Sequence, residues 1–317
     1  MNRYFVYGLV LETDWPLVTP LRRAEGDRDA DLRFSVSRTA PRPGEWVDVQ
    51  RVTMPNGEPY VEIGRVGGFD VMRIPNVGDA WRIDRAHVHF HLTRAEHDFH
   101  VEVALLGIIL ADWLECHGRS ALHGAAVTDG VAAIAFLGSN RAGKTSLALS
   151  LAQDGWRLLS DDLLSVSVDS TEVRIHPSFP QIRLWPEQAR RLLGTAEGLQ
   201  RAHPQYEKLR VDLAADHSAS SIEPLTALYL PRRGAHVDGH RIVQVEPTHA
   251  FLQLMANSFI PNLLDTPSRR TDWHERLAAL LERVAIFELL YPDDLEALPR
   301  IARAVGDHAR SIAIDRL

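Results

Sequence analysis

The chain has 317 residues, of which 45% are hydrophobic and 24% charged, so it can bury one large core or two modest ones. Its net charge of -7, without a long Lys/Arg run, disfavours extended nucleic-acid binding. The single cysteine, Cys116, excludes an intramolecular disulfide. The N-terminal apolar patch is too short for a signal peptide and is flanked by acidic residues. Both observations predict a cytoplasmic protein.

The first hundred residues alternate between strand-like runs and turn signals. The turns are marked by "PRPGE", "MPNGE", "GG" and "PNVGD". Between them, β-branched and aromatic residues predict strands at 3–12, 30–38, 46–52, 59–66 and 69–74. The spacing predicts a small β-rich N-terminal region over residues 1–98.

A histidine-rich strand follows in "AHVHFHL". The two-residue period of a strand puts His87, His89 and His91 on one face. One interpretation is a metal site, and the other is an ordinary half-exposed strand face. The outer two histidines of a straight strand lie about 13 Å apart, which favours the second interpretation.

The most apolar segment of the chain is "VEVALLGIILADWLEC", residues 101–116. Three acidic residues interrupt it, and it is shorter than the roughly 18 to 20 residues that a membrane span requires. We therefore expect a buried core helix and no membrane partner.

A hairpin is predicted next. The apolar runs "LHGAAV" and "VAAIAFL" are joined by "TDG", and Asp-Gly between two such runs is typical of a tight turn. The second run leads into "GSNRAGKT", which has the form G-x-x-x-x-G-K-T. The segment after it, "KTSLALSLAQDG", predicts a helix that ends at Gly155.

This glycine loop is predicted to bind a polyphosphate, because strand, loop and helix follow one another in the required order. Glycines permit close approach of the backbone, successive amides surround the phosphates, and the helix adds its positive end. Lys144 is expected to reach the terminal phosphates, and the Thr145 hydroxyl is expected to bind Mg²⁺. The predicted nucleotide-binding residues are Gly138, Ser139, Asn140, Arg141, Ala142, Gly143, Lys144, Thr145 and Ser146.

An acidic pair, Asp161 and Asp162, interrupts the apolar run "WRLLSDDLLSV". Buried carboxylates are costly unless they are paired or bind a metal, which points to a role at the phosphate site. Adjacent side chains of a regular strand point to opposite faces, so only one carboxylate would reach the site. The favoured alternative is that the strand ends here and both reach it. A helix cap or an exposed strand end is the structural alternative.

The remaining chain predicts strands in "EVRIHP", "QIRLW", "LTALYLP", "RIVQVEP" and "IFELLYP". Helices are predicted in "THAFLQLMANSF", with Thr248 as its N-cap, and in "DWHERLAALLERVA" and "DDLEALPRIARAV". Arg183, Lys208 and Arg210 are candidate substrate-binding cations, with solvated surface charges as the alternative.

The series "LHGAAV", glycine loop, helix, "WRLL" and "SDD" resembles the catalytic domain of the HPr kinase/phosphorylase family over residues 120–170. The resemblance implies an α/β fold with a P-loop kinase core of the HPr kinase C-terminal type over residues 99–317, a mixed sheet with flanking helices. It implies Mg-ATP, a homo-oligomer, and transfer of phosphate to a serine hydroxyl. The N-terminal region resembles HPr-kinase-like proteins of peptide and polysaccharide gene clusters, some of which resemble kinases that phosphorylate a serine in lasso-peptide tailoring.

The resemblance also implies roles for individual residues. Lys144 and Thr145 would bind phosphate and Mg²⁺, Asp162 would be the general base, and Asp161 would support the metal or the base. His123 would lie near the same site, and a buried structural histidine is the alternative. The family's Arg-Gly-x-Gly segment is replaced by "HPSFPQIRLWPE", so neither the reverse reaction nor HPr as the acceptor follows.

Two functions therefore compete. The first is an ATP-dependent serine kinase that acts on a peptide or protein. The second is a nucleotide-binding regulatory or scaffold protein that uses the same loop without phosphoryl transfer.

Overall fold

The structure is a computed structural model that describes residues 1–53, 57–94, 98–203, 206–234, 237–260 and 267–315. The chain divides into two compact units: residues 1–113 with 260–270, and residues 114–259 with 271–317. This division by compactness falls at a different place from the boundary at residues 98/99 expected from the sequence.

The first unit contains a nine-stranded sheet with the order β3-β1-β2-β4-β9-β8-β7-β6-β5. The pairs β2–β4 and β4–β9 are parallel, and the others are antiparallel. Its strands are β1 (Asn2–Val6), β2 (Leu9–Thr13), β3 (Arg22–Arg23), β4 (Leu32–Ser37), β5 (Trp46–Thr53), β6 (Pro59–Val66), β7 (Phe69–Ile74), β8 (Gly78–Arg82) and β9 (His87–Leu92).

Two predictions for this sheet were wrong. Residues 3–12 form a hairpin and not one strand, because Tyr7 and Gly8 both adopt positive φ angles of 53° and 69° and make a two-residue turn. The Tyr-Gly pair lacks the Asn-Gly or Asp-Gly signature of such turns. The sequence "PNVGD" predicts a turn only, whereas the turn at Asn76 is followed directly by strand β8.

The histidine strand has the predicted alternation, with His87, His89 and His91 half-buried on one face of β9. His87 and His89 hydrogen bond to the Ser35 hydroxyl at 2.8 and 2.9 Å, and His89 also bonds to Ser37 at 2.9 Å. Within the described ranges, no group of three or more His, Cys, Asp or Glu side chains is placed to hold a metal ion. Serines of β4 thus provide hydrogen-bond partners for His87 and His89.

Residues 101–116 are helical and largely buried, as predicted. The segment consists of α1 (Asp98–Ala104), a π-helical turn (Leu105–Ile109) and α2 (Leu110–Cys116). No helix in the described part of the chain is both long enough and apolar enough to cross a membrane.

The second unit contains a seven-stranded mixed sheet with the order β11-β10-β12-β13-β17-β19-β18, in which β11 also pairs with β17. A three-stranded antiparallel sheet, β14-β16-β15, completes its strands. The bounds are β10 (Ser120–Thr128), β11 (Ala133–Leu137), β12 (Arg157–Val168), β13 (Val173–His176), β14 (Gln181–Leu184), β15 (Arg201–His203), β16 (Tyr206–Asp212), β17 (Glu223–Gly234), β18 (Arg241–Gln244) and β19 (Ala285–Pro292).

The helices of this unit are α3 (Lys144–Gln153), α4 (Pro186–Leu193), α5 (Pro247–Ala256), most of α6 (Pro267–Arg283) and α7 (Leu298–Asp315). The predicted β10–β11 hairpin is confirmed, and so is the helix end at Gly155, which has a φ angle of 94°. The predicted cap of α5 is wrong: Glu246 is the N-cap, because Pro247 occupies the first helical position, where its missing N–H costs nothing.

The core that supports the glycine loop lies on one face of the seven-stranded sheet. Residues Leu147 and Leu151 of α3 pack with Ile301 and Val305 of α7 and with side chains of the sheet below them. Strands β11, β17 and β19 are mutually parallel, so their carboxyl ends meet at one edge. The loop begins at this edge, which is where α/β proteins hold their ligands.

Candidate functional site

The glycine loop joins β11 to α3 and is held from beneath. Gly143 has a φ angle of 99° and caps the helix, and a Cβ at this position would lie 2.1 Å from the Tyr291 hydroxyl. That hydroxyl donates a hydrogen bond to the Ala142 carbonyl at 3.2 Å. Arg233 donates to the Arg141 carbonyl and pairs with Asp293 at 2.6 Å. The ends of β17 and β19 thus fix the loop's backbone.

Lys144 is buried beneath this loop. Its ammonium donates to the carbonyls of Gly138 at 2.7 Å and Ser139 at 3.0 Å. Burial lowers the pKa of Lys144, and the negative charges of Asp161 and Asp162 partly offset this effect. The ammonium is therefore held at the loop, next to the helix N-terminus that favours anions.

The residue after it makes the first contact with the acidic pair. The Thr145 hydroxyl donates to the Asp161 carboxylate at 2.9 Å, between the first turn of α3 and the middle of β12. A hydroxyl and a carboxylate oxygen side by side form the kind of oxygen pair that Mg²⁺ accepts together with phosphate oxygens. The residues fit the predicted metal site, which stays a prediction.

The acidic pair reaches the pocket by an unexpected route. The prediction that the strand ends at the pair was wrong, because β12 continues through it to Val168. Asp162 instead has a φ angle of 75°, in the left-handed region where Asp is among the few tolerated residues. The register shift opposite Ala126 and Val127 adds an irregularity just before the pair. The alternation is broken, so both carboxylates line the same cavity.

Arg183 of β14 bridges the two carboxylates. Its backbone N–H donates to Asp161 at 3.1 Å, and its guanidinium donates to Asp162 at 2.8 Å. Burial and the charge of Asp162 raise the pKa of Asp161 to about 6. Burial alone would raise the pKa of Asp162 as well, but the positive charges of Arg183 and then Lys208 outweigh it and lower that pKa. The pair therefore divides into one readily protonated and one firmly ionised carboxyl group.

His123 lies beside Asp162. Its Nδ1 is 2.9 Å from the Asp162 carbonyl oxygen, and its backbone N–H donates to the Asn257 carbonyl at 2.7 Å. Burial, followed by the charge of Lys144, lowers the pKa of His123, so the ring is neutral near pH 7. Because a carbonyl only accepts, Nδ1 carries the proton and Nε2 is left as an acceptor.

The close approach of three strands explains why a glycine stands in the "LHGAAV" segment. Gly124 pairs with Asp162 across β10 and β12, and a Cβ on Gly124 would lie 2.6 Å from the Phe136 carbonyl. Only a glycine allows the three strands to approach at this point, directly opposite the left-handed residue.

Two residues of the pocket were not predicted, Trp185 and Gln188. The Trp185 ring lies 5.0 Å from the Arg141 guanidinium and 6.0 Å from the Lys208 ammonium. Gln188 donates to the Ser146 hydroxyl at 3.2 Å and accepts from the Trp185 amide. The available signal was "WPEQ", in which proline at a first helical turn and glutamine three residues after Trp185 mark a helix start.

The structure thus brings most of the predicted side chains together. His123, Lys144, Thr145, Asp161, Asp162, Arg183 and Lys208 line one cavity with loop residues 140–143 and Ser146. Arg210 does not line this cavity. Its Nε lies 3.6 Å from Asp212 Oδ1, and its Nη2 donates a hydrogen bond to Gln200 Oε1 at 3.1 Å. Four cations and two carboxylates around one cavity suit a highly charged ligand that carries phosphate.

No protein-family model matches the sequence, and no curated protein matches it. Among solved structures, the chain is similar to the HPr(Ser) kinase/phosphatase from Coxiella burnetii, with a TM-score of 0.31 and 11% sequence identity. The similarity covers 59% of this chain and 95% of that chain. So distant a likeness indicates nothing about activity, which has to be inferred from the site itself.

Proposed function

We propose that the chain is a kinase that transfers the γ-phosphate of Mg-ATP to a hydroxyl group of a peptide or protein. The observation that carries the proposal is the left-handed backbone of Asp162. It adds a second carboxylate to a cavity that already contains the loop lysine and the Thr145–Asp161 pair. A protein that only binds a nucleotide has no need for this second, strained carboxylate.

On the donor side, the loop amides and Lys144 would hold the β- and γ-phosphates. Thr145 and Asp161 would hold Mg²⁺, which when bound neutralises charge on the phosphate oxygens. The raised pKa of Asp161, about 6, supports such a role, because a nearby cation stabilises the ionised carboxylate that burial disfavours.

On the acceptor side, Asp162 would orient the attacking hydroxyl. The hydroxyl oxygen forms a bond to the γ-phosphorus, the bond between that phosphorus and the β–γ bridging oxygen breaks, and ADP leaves. The hydroxyl proton passes to the Asp162 carboxylate. Its lowered pKa suits a loose transition state, in which the acceptor oxygen loses its proton late. Arg183 and Lys208 would offset the negative charge of the phosphoryl group during its transfer.

Serine is the acceptor that the resemblance to HPr kinase favours, and a ribosomally made peptide of the lasso type is our narrower proposal. The small volume of the cavity, about 40 Å³, favours an acceptor hydroxyl on a small side chain such as serine. The resemblance also supports a homo-oligomer in the cytoplasm as the working state.

The competing function is a nucleotide-binding regulatory or scaffold protein. One observation favours it: the Asp162 carboxylate is already engaged by Arg183 at 2.8 Å, which weakens it as a base. In a kinase, an incoming phosphoryl group would compete for Arg183 and release the carboxylate.

The experiment that separates the two is incubation of the chain with Mg-ATP labelled at the γ-phosphate and a set of serine-containing peptides. Transfer of label to a peptide, lost in Lys144→Ala, is the result we expect. Tight nucleotide binding, abolished by Lys144→Ala, without transfer to any hydroxyl of the set or to water would favour the scaffold instead.

A further inference from the structure

A second cavity, of about 310 Å³, lies against the other side of the glycine loop. Gly138, Ser139 and Ala142 form one of its walls, and Ala142 also lines the cavity that holds the acidic pair. The first cavity is far smaller, about 40 Å³, and is crowded with charged side chains. A whole nucleotide does not fit there, whereas the second cavity reaches the size of small-molecule sites.

The position of this cavity follows from the sheet. Tyr229 of β17 and Phe287 of β19 belong to the core beneath α3, so the alternating residues Leu230 and Glu288 face the opposite side. The cavity is lined by that opposite side and by the end of β11 at Leu137. It therefore lies at the carboxyl end of β11, beside residues of β17 and β19, which continue past that point.

The lining chemistry differs from that of the phosphate site. Leu137, Leu230 and Pro231 supply apolar surface. His249, Gln253 and Asn257 supply neutral hydrogen-bonding groups, and Gln253 donates to His249 at 3.0 Å. The charged residues among those that line the cavity, Arg232 and Glu288, pair with each other at 2.7 Å. The ligand part that suits this lining is uncharged, partly apolar and able to form hydrogen bonds.

We propose that this cavity binds the nucleoside of the donor nucleotide while its phosphates lie on the glycine loop. The inference rests on the proposed function, because it assumes that a nucleoside triphosphate is the ligand of the loop. Gln253 and Asn257 then contact polar edges of the nucleoside, and Leu137, Leu230 and Pro231 pack against its apolar faces.

The cavity is also connected to the acidic pair. Asn257, which lines the cavity, accepts a hydrogen bond from the His123 backbone at 2.7 Å through its carbonyl. His123 in turn contacts the Asp162 carbonyl at 2.9 Å. Two hydrogen bonds through His123 therefore link the proposed nucleoside site to the acceptor side of the phosphate site.

The test is to fill the cavity and compare two ligands that share phosphates but not a nucleoside. Ala256 lines the cavity at the end of α5, so Ala256→Trp projects an indole ring into it. We expect its affinity for Mg-ATP to fall by about tenfold or more and its affinity for Mg-tripolyphosphate to stay unchanged, both measured by calorimetry. The matched control is Leu252→Trp on the same helix, where Leu252 is 55% exposed and outside the cavity.

A milder variant guards against misfolding. Gln253→Ala removes a hydrogen-bonding group without adding bulk and should weaken Mg-ATP binding several-fold, again without an effect on tripolyphosphate. Unchanged Mg-ATP binding in both variants overturns the proposal. If Ala256→Trp keeps Mg-ATP affinity but loses phosphoryl transfer to a peptide, the cavity binds the acceptor, and the proposal is equally overturned.

A failure of the proposed kinase function gives a different result from a failure of the nucleoside site. Lys144→Ala should weaken binding of Mg-ATP and Mg-tripolyphosphate alike, because it acts on the phosphates. If it weakens neither ligand, the loop is not a phosphate site, and the proposed function fails before the nucleoside site is considered.

Discussion

Two strands of this chain carry titratable side chains close together, and they differ in backbone geometry. Strand β9 carries His87, His89 and His91 in regular alternation, so the three rings lie on one face, where His87 and His89 hydrogen bond to hydroxyls of β4. Strand β12 carries Asp161 and Asp162 next to each other, which regular alternation would separate. The left-handed φ angle of Asp162, 75°, instead brings both to one cavity.

The comparison shows that a cluster in the sequence is a poor guide to a site unless the backbone geometry is known. The regular strand pairs His87 and His89 with neighbouring serines. The irregular strand accepts a cost of about 1–2 kcal/mol at one residue. In return, two carboxylates with different pKa values face the same loop lysine.

The largest expected difference between the two strands is in phosphoryl transfer. Asp162→Asn should lower the rate of transfer by about a hundredfold or more, because it removes the proton acceptor. His89→Gln should leave the rate within about twofold, since His89 is not among the residues that line the cavity of the acidic pair. Initial rates with γ-labelled ATP and an accepted peptide measure both. A rate in Asp162→Asn equal to that of the unchanged chain would remove Asp162 from the mechanism.

A second difference lies in how stability depends on pH. Folding raises the pKa of Asp161 to about 6, so the folded chain binds more protons than the unfolded chain between about pH 4 and 6, and stability falls as pH rises through that window. Burial lowers the pKa of His89, so the folded chain binds fewer protons below pH 6.5, and stability rises with pH there.

Denaturant unfolding between pH 4 and 7 separates the two contributions. Asp161→Asn should remove a falling contribution on the order of 2 kcal/mol, and His89→Gln should remove a rising one. The two difference curves, each taken against the unchanged chain, should slope in opposite directions. Parallel curves would mean that the two strands do not differ in the way described.

The smallest effect concerns the backbone itself. At position 162, glycine should give a more stable chain than alanine by about 1 kcal/mol, because only glycine adopts the left-handed region without strain. At position 89, alanine should give the more stable chain by about 0.5–1 kcal/mol, because glycine weakens a regular strand. The sign of the glycine–alanine difference, measured by urea unfolding, is the readout. The same sign at both positions would contradict the strain assigned to Asp162.

Much of the second unit follows from local sequence. The apolar runs around "TDG" and the loop with its helix are specified by turn chemistry and period, so β10, β11 and α3 were predicted close to their bounds. The resemblance implied a shared metal site for Thr145 and Asp161, and the structure puts these two side chains in contact. The hairpin, the loop and the helix depend on interactions between residues close together in the chain, which a sequence displays.

What the sequence does not display is geometry that distant residues impose. Nothing in "LLSDDLLS" marks the left-handed residue, because Gly124 and Arg183, which surround it, come from other strands. Trp185 gains its place only when β14 and β16 bring Lys208 beside it. The assignment of Arg210 to the site failed for the same reason. Arg210 lies two residues after Lys208 on β16, and strand alternation put both on one face. Its guanidinium instead contacts Asp212 and Gln200.

The measurement that tests the central claim most directly is a paired determination of Mg²⁺-dependent nucleotide affinity and transfer rate in Asp161→Asn and Asp162→Asn. The two carboxylates are adjacent in sequence and in space, but the account gives them separate tasks. Asp161→Asn should lose the Mg²⁺-dependent part of its ATP affinity. Asp162→Asn should keep that affinity and lose transfer. Equal losses of affinity in both variants, or undiminished transfer in Asp162→Asn, would contradict it.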